Sequence, residues 1–230
     1  EHHTRILFES PLQTTDKVGY IREVLRRFVS RAFRRPVAAD ELERFVKIYN
    51  LLAGDFPTLE EAMRETLAMV LISPQFLYHT VAENGLTTQQ YEMASKLSYF
   101  LWGSMPDDVL FTLAAQGRLN DPVVIEAQVR RLLADKRSGD FVSNFTTQWL
   151  SLAKTKTVSI NKELFPRFLY LVPLGERAGT EVPYRPTIRD YMQEETVSFI
   201  GTLIKHNATV LNIVNSSFAI LNQPLAAHYG

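Results

Sequence analysis

The sequence predicts an all-α protein, two consecutive helical modules packed as an irregular multi-helix bundle. Three observations lead there. Helix-starting residues recur along the chain, each followed by apolar residues at a spacing near 3.6. No stretch of useful length alternates apolar and polar residues as a half-buried strand would. Prolines and Gly-containing polar turns punctuate the chain mostly between the periodic segments.

Taken in order, Asp16 is placed to cap a helix whose apolar stripe is Val18, Ile21, Leu25, Phe28, Val29 and Ala32, and Pro36 stops it because proline cannot extend the hydrogen-bond ladder. Asp40 and Glu43 have the spacing of a capping box, and Leu42, Phe45, Val46, Tyr49 and Leu52 follow before Gly54. Thr58 and Glu61 repeat the box ahead of Ala62, Leu67, Val70 and Leu71. Ser73-Pro74 closes that helix and introduces a short one through Phe76, Leu77 and Tyr78. Thr87 with Gln90 opens the next, carrying Tyr91, Ala94, Leu97 and Leu101 until Gly103, Ser104 and Pro106 intervene. Pro106-Asp107-Asp108 reads as a first turn, with Leu110, Leu113 and Ala114 inward and Gly117 at the end. Asp121-Pro122 introduces Ile125, Val129, Leu132 and Leu133, and Ser138 precedes the row Phe141, Phe145, Trp149 and Leu152. Pro186 begins a long helix through Ile188, Tyr191, Met192, Phe199 and Leu203, and Val210–Val214 and Leu221–Tyr229 are short helical pieces.

The polar turn Glu83-Asn84-Gly85 is the expected boundary, giving an N-terminal module over 1–84 and a C-terminal module over 85–230. Within the second, periodicity fails from 155 to 185. Pro166, Pro173, Pro183, Gly175 and Gly179 make this an irregular excursion with a short helix near Phe165 to Leu171, and its span from Leu171 to Arg185 is expected to be a mobile or partner-facing loop.

Composition removes several classes of function. Lys and Arg number 25, Asp and Glu number 25, so no global field recruits nucleic acid or an anionic membrane surface. No cysteine is present, which excludes disulfides, thiolate metal sites, a cysteine nucleophile and covalent haem attachment. No apolar run approaches the ~20 residues that cross a bilayer, and the start, Glu1-His2-His3-Thr4-Arg5, is not a signal peptide. No Gly-x-Ser-x-Gly, phosphate-binding loop or dinucleotide glycine fingerprint occurs.

The residues that remain as candidates are few. Six arginines lie between Arg22 and Arg35 with Glu23 as the only acid among them. An anion site is one reading. The simpler one leaves Arg22, Arg26 and Arg27 solvated and sets Arg34 and Arg35 at a helix C-terminus, where the macrodipole favours cations. His2, His3, His79, His206 and His228 show no metal-ligand spacing, and His79 and His228 lie beside tyrosines as packing residues. Adjacent acids at Glu60-Glu61, Asp107-Asp108 and Glu194-Glu195 point ~100° apart on a helix and form no shared-proton dyad. Glu195 falls within an apolar face and requires a cation or a donor. The tract Leu97 to Trp102 is apolar enough to be buried, and Trp102 and Trp149 are both expected in the core.

Five tracts in order, Arg31–Val37, Ser73–Tyr78, Ala94–Trp102, Met105–Asp108 and Leu225–Gly230, resemble the uncharacterised helical domains of large exported planctomycete-type, cytochrome-c-associated multidomain proteins. The resemblance spans nearly the whole chain as two consecutive modules. Lys96 stands where arginine is expected, His79 stands where the first module usually ends in arginine, and the excursion from Leu171 to Arg185 is longer than usual. The resemblance implies an exported, periplasmic or extracytoplasmic location and leaves room for a haem in a neighbouring domain; no cofactor or metal is expected in this chain, because it has no cysteine and its histidines lack ligand spacing. Its partners would be other domains of the same polypeptide or another protein, with no nucleic acid and no membrane span. The favoured expectation is a non-catalytic helical scaffold or interaction module. The alternative is part of an enzyme, redox-linked or otherwise, whose site other domains complete and which uses Arg34, Arg35, Asp107, Asp108, Glu195 or His228. A third reading, binding of a glycan or other polymer by exposed aromatics, rests only on the 11% aromatic content.

Overall fold

A computed structural model describes residues 6–78, 86–161, 163–166 and 187–230. Among the described residues there are twelve α-helices, a few 3-10 turns and no strand. In chain order these are α1 (Leu12–Thr15), α2 (Lys17–Ala32), α3 (Ala39–Leu52), α4 (Leu59–Leu71), α5 (Pro74–Leu77) and α6 (Leu86–Trp102). There follow α7 (Asp108–Ala115), α8 (Pro122–Ala134), α9 (Gly139–Trp149), α10 (Ile188–Lys205), α11 (Asn212–Asn215) and α12 (Gln223–Tyr229). The all-α expectation is met. The chain forms two compact units, Glu1–Tyr99 with Ser104–Gln128 and Phe100–Gly103 with Val129–Gly230. The expected boundary at Glu83–Gly85, the whole span from Leu171 to Arg185 and most of the short helix expected near Phe165 to Leu171 lie outside the described residues.

Most of the expected caps are present. Asp16 accepts from the Gly19 N–H at 2.9 Å, and Thr58 Oγ1 accepts from the Glu61 N–H at 3.2 Å. Asp107 caps α7 through the Leu110 N–H, and Asp121 accepts from the Val123 N–H at the start of α8. Gly117 ends α7 with φ 69, the left-handed conformation that favours glycine at a helix C-terminus. Three starts differ from expectation. Helix α3 begins at Ala39, and it is Glu41, not the Asp40/Glu43 pair, that reaches back to the Ala38 N–H at 3.0 Å. Glu43 instead pairs with Arg22 of α2. Gln90 reaches away from the helix start: its buried side-chain oxygen accepts from the Leu119 N–H at 2.7 Å. Ser138 donates to Leu133 and Asp135 carbonyls and leaves α9 uncapped by a side chain.

In the first unit, α2, α3 and α4 form a three-helix core around Leu25, Val29, Phe45, Met63 and Val70. Burying each aliphatic or aromatic side chain there stabilises the fold by roughly 1.5–3 kcal/mol, opposed by the entropy of ordering it. In the second unit, α10 packs against α9, α12 and the 3-10 turn Leu152–Lys156. The approach to α9 is close at Gly201, where a Cβ would stand 3.3 Å from a Val142 methyl. Trp102, Leu132, Leu152, Ile200, Leu203 and Leu225 are buried in this unit.

Trp102 behaves as the sequence predicts. It is 4% exposed, and its indole N–H donates to the Leu132 carbonyl at 2.9 Å. The guanidinium of Arg137 lies 3.3 Å from the ring centroid. Trp149 does not behave so, since it is 51% exposed. Its i,i+4 row satisfies the periodicity of burial, but the row runs along a face of α9 whose outer end has no cover from the described residues of this unit. Phe100 corrects the same kind of expectation: it is 67% exposed at the end of a tract that was expected to be buried throughout.

Candidate functional site

Arg22, Arg34 and Arg35 of the first unit are engaged as structural ties, while Arg26 and Arg27 are exposed. Arg34 follows the end of α2 in the left-handed conformation, φ 60, and the Arg35 N–H donates back to the Ser30 carbonyl at 3.1 Å to close the helix. This position ordinarily favours glycine, because a Cβ there costs about 1–2 kcal/mol. The Arg34 side chain offsets that strain. Buried to 7% exposure, it donates to the carbonyls of Gln75 at 3.0 Å, Phe76 at 3.2 Å and Tyr78 at 3.1 Å, the otherwise open C-terminal end of α5. Arg35 forms a two-pronged pair with Glu41, at 2.7 and 2.8 Å. That pair holds the Glu41 carboxyl below the usual carboxylate range and raises the Arg35 guanidinium further. Arg22, expected to be solvated, is tied to Glu43 across α2 and α3. Lys96, which replaces an expected arginine, pairs with Glu92 one turn away on α6 at 2.6 Å.

Of the acidic candidates, Asp107 is the cap of α7 and Asp108 pairs with Arg31 at 3.0 Å. The Asp108 carboxylate is 87% exposed, so the pair adds little stability. It does mark the rim of a cavity of about 690 Å³ walled by Val24, Phe28, Leu71, Phe76 and Met105, with Arg27 and Arg31 beside Asp108. Arg27 and Arg31 gave no sequence signal beyond membership of the arginine cluster.

In the second unit, Glu195 accepts from the Tyr229 hydroxyl at 2.9 Å, and its neighbour Glu194 accepts from the Asn222 amide at 2.9 Å. The donor that Glu195 required is therefore a phenol at the end of α12. Burial and the adjacent carboxylate both push the Tyr229 hydroxyl above its ordinary pKa. His228 lies against Tyr229, ring centroids 5.7 Å apart. The structure thus gathers Glu195, His228 and Tyr229, and shows the first as an acceptor of a structural bond. Among the described residues no cluster of three or more His, Cys, Asp or Glu is placed to hold a metal ion, and no helix is long and apolar enough to cross a membrane.

One extended surface feature of the second unit is aromatic. Phe100 contacts Phe141 at 5.0 Å between centroids, Phe141 stacks on Phe145 at 5.7 Å, and Phe145 stacks on Trp149 at 5.5 Å. Phe145 is 43% exposed. The row is continuous because residues four apart share one helix face. The i,i+4 spacing was legible in the sequence, whereas its exposure was not.

Comparison with known proteins agrees with the modular reading. The family described as PSD5, protein of unknown function (DUF1595), matches residues 20–80. The family described as PSD4, protein of unknown function (DUF1592), matches residues 88–230, more than half of the chain. No curated protein and no solved structure shows a significant match. The chain therefore belongs to the PSD4 family of proteins of unknown function, with a PSD5 domain directly preceding the PSD4 domain.

Proposed function

We propose that the chain is a non-catalytic helical interaction module of a larger exported protein. On this reading residues 1–84 and 85–230 are its two modules, and its partners are other domains of the same polypeptide or a protein bound to them. The observation that carries the reading is the aromatic row Phe100, Phe141, Phe145 and Trp149, of which Phe100, Phe145 and Trp149 are exposed and Phe141 is partly buried. Large aromatic side chains left half in water at consecutive helix turns are the composition of a protein interface rather than of a solvated face. A second support is the use of the polar candidates. Arg34, Arg35, Asp107, Asp108 and Glu195 are each engaged in a cap, an ion pair or a structural hydrogen bond, which accounts for them without chemistry. The cytochrome association, the periplasmic or extracytoplasmic location and a haem in a neighbouring domain follow from the family resemblance, and the haem would be held outside this chain.

The test is a calorimetric titration of the chain with the separately expressed remainder of its precursor. Binding that is lost in a Phe145→Ala/Trp149→Ala double variant of unchanged thermal stability supports the module. Absence of binding, or binding indifferent to the double variant, refutes the aromatic row as the interface.

A further inference from the structure

A second feature, in the first unit and independent of the aromatic row, is a groove that is apolar along α4 and polar at its arginine end. The cavity bounded by Arg27, Arg31 and Asp108 adjoins another of about 510 Å³, and the two share Ile6, Phe28 and Leu71. The second chamber is walled by Leu7, Met63, Leu67 and Ala68, and the groove follows α4 from Glu60 to Leu71, a rise of about 16 Å. Its two ends carry opposite charge. At one end are Arg27 and Arg31. Asp108 offsets Arg31, while Arg27 lies over the face of Phe8 at 4.8 Å and has no carboxylate partner among the described residues. At the other end are Glu60 and Glu61, with Arg64 turned to its neighbour Glu65.

We propose that this groove binds a single-headed anionic amphiphile, a long-chain carboxylate in its simplest form. The alkyl chain lies along Phe28, Met63, Leu67 and Leu71, and the head sits at Arg27 and Arg31. Each chamber has the volume of a small-molecule site, roughly 300–1,000 Å³; the one along α4 is lined almost wholly by apolar surface, and the one holding Arg27, Arg31 and Asp108 is about half polar. The sign of the head follows from the net charge at the arginine end. The acids at the far end add a second condition, since a chain with an anionic group at both ends meets Glu60 and Glu61.

The test is binding of tetradecanoate to the 1–230 chain, read by calorimetry below the critical micelle concentration, beside tetradecanol, tetradecanedioate and phosphatidylglycerol vesicles. Saturable binding of tetradecanoate, about tenfold weaker for the alcohol, the diacid and Arg27→Gln, supports the assignment. Ala68 is exposed on α4, so Ala68→Trp obstructs the groove without disturbing the core and should abolish binding while leaving the thermal unfolding curve in place. No binding of tetradecanoate overturns the proposal, as does binding unaffected by both variants. Binding to vesicles alone also overturns it, in favour of a membrane surface. None of these outcomes bears on the aromatic row of the second unit.

Discussion

Replacing each tryptophan by alanine should separate a core residue from a surface one that shares the same sequence pattern. Trp102→Ala removes a ring that is 4% exposed, its hydrogen bond to the Leu132 carbonyl and the contacts of two guanidinium groups, Arg137 at 3.3 Å and Arg131 at 5.5 Å from the ring centroid. Truncation of a buried aromatic costs about 3–5 kcal/mol. The Leu132 carbonyl also accepts from the Asp135 N–H at 3.3 Å, so it is not orphaned, and the lost indole bond adds no more than ~1 kcal/mol within that range. Trp149→Ala removes a ring that is 51% exposed and that stacks, among the described residues, on Phe145. Half of an aromatic burial of roughly 200 Å² at about 25 cal/mol per Å² sets an upper bound near ~2.5 kcal/mol, and the expected loss is about 1 kcal/mol. Urea denaturation of both variants, followed by far-ultraviolet circular dichroism, measures the difference. Equal losses, or a larger loss for Trp149→Ala, would refute the assignment of the two rings to core and surface.

Other consequences are local. Thr146 is fully buried and its hydroxyl has no hydrogen-bond partner, so Thr146→Val should be neutral or stabilising by about 1 kcal/mol in thermal unfolding. Arg34→Gly relieves the left-handed strain at φ 60 but leaves three carbonyls of the α5 end without their donor, and should cost a net ~1–3 kcal/mol by the same measurement. The Glu41 carboxyl is held low by Arg35, so its contribution is complete above the unfolded carboxylate pKa of about 4 and is lost as pH falls through the lower folded value. Glu41→Gln should therefore lower the neutral-pH plateau and flatten the acid limb, so that urea denaturation across pH shows the two proteins converging at low pH.

The fold was largely legible because helix starts and apolar stripes are local signals. Asp16, Thr58, Asp107 and Asp121 each announce a helix within three residues of the bond they make. Where reading failed, the competing partner was distant in sequence. Gln90 bonds to Leu119 and Glu43 to Arg22, and neither partner is visible from the capping pattern around it. The burial of a stripe is also a tertiary property. Phe141, Phe145 and Trp149 have the same period whether a neighbouring helix covers them or not, so periodicity placed them on one face and could not say which side of it meets water. The roles of the polar candidates were legible only as alternatives. Arg34 was read as a cation at a helix end, and its reach to the carbonyls of α5 depends on a left-handed residue that an arginine seldom supplies.

The proposed role turns on whether the aromatic row is covered in the intact protein. The chain has two tryptophans, so a Trp102→Phe variant leaves Trp149 as the sole indole of the chain. Acrylamide quenching of Trp149 should be efficient in the isolated chain and fall severalfold once the remainder of the precursor is bound, with a blue shift of its emission. Quenching of Trp149 that is equal in the isolated chain and in the assembled protein would contradict the interaction-module reading.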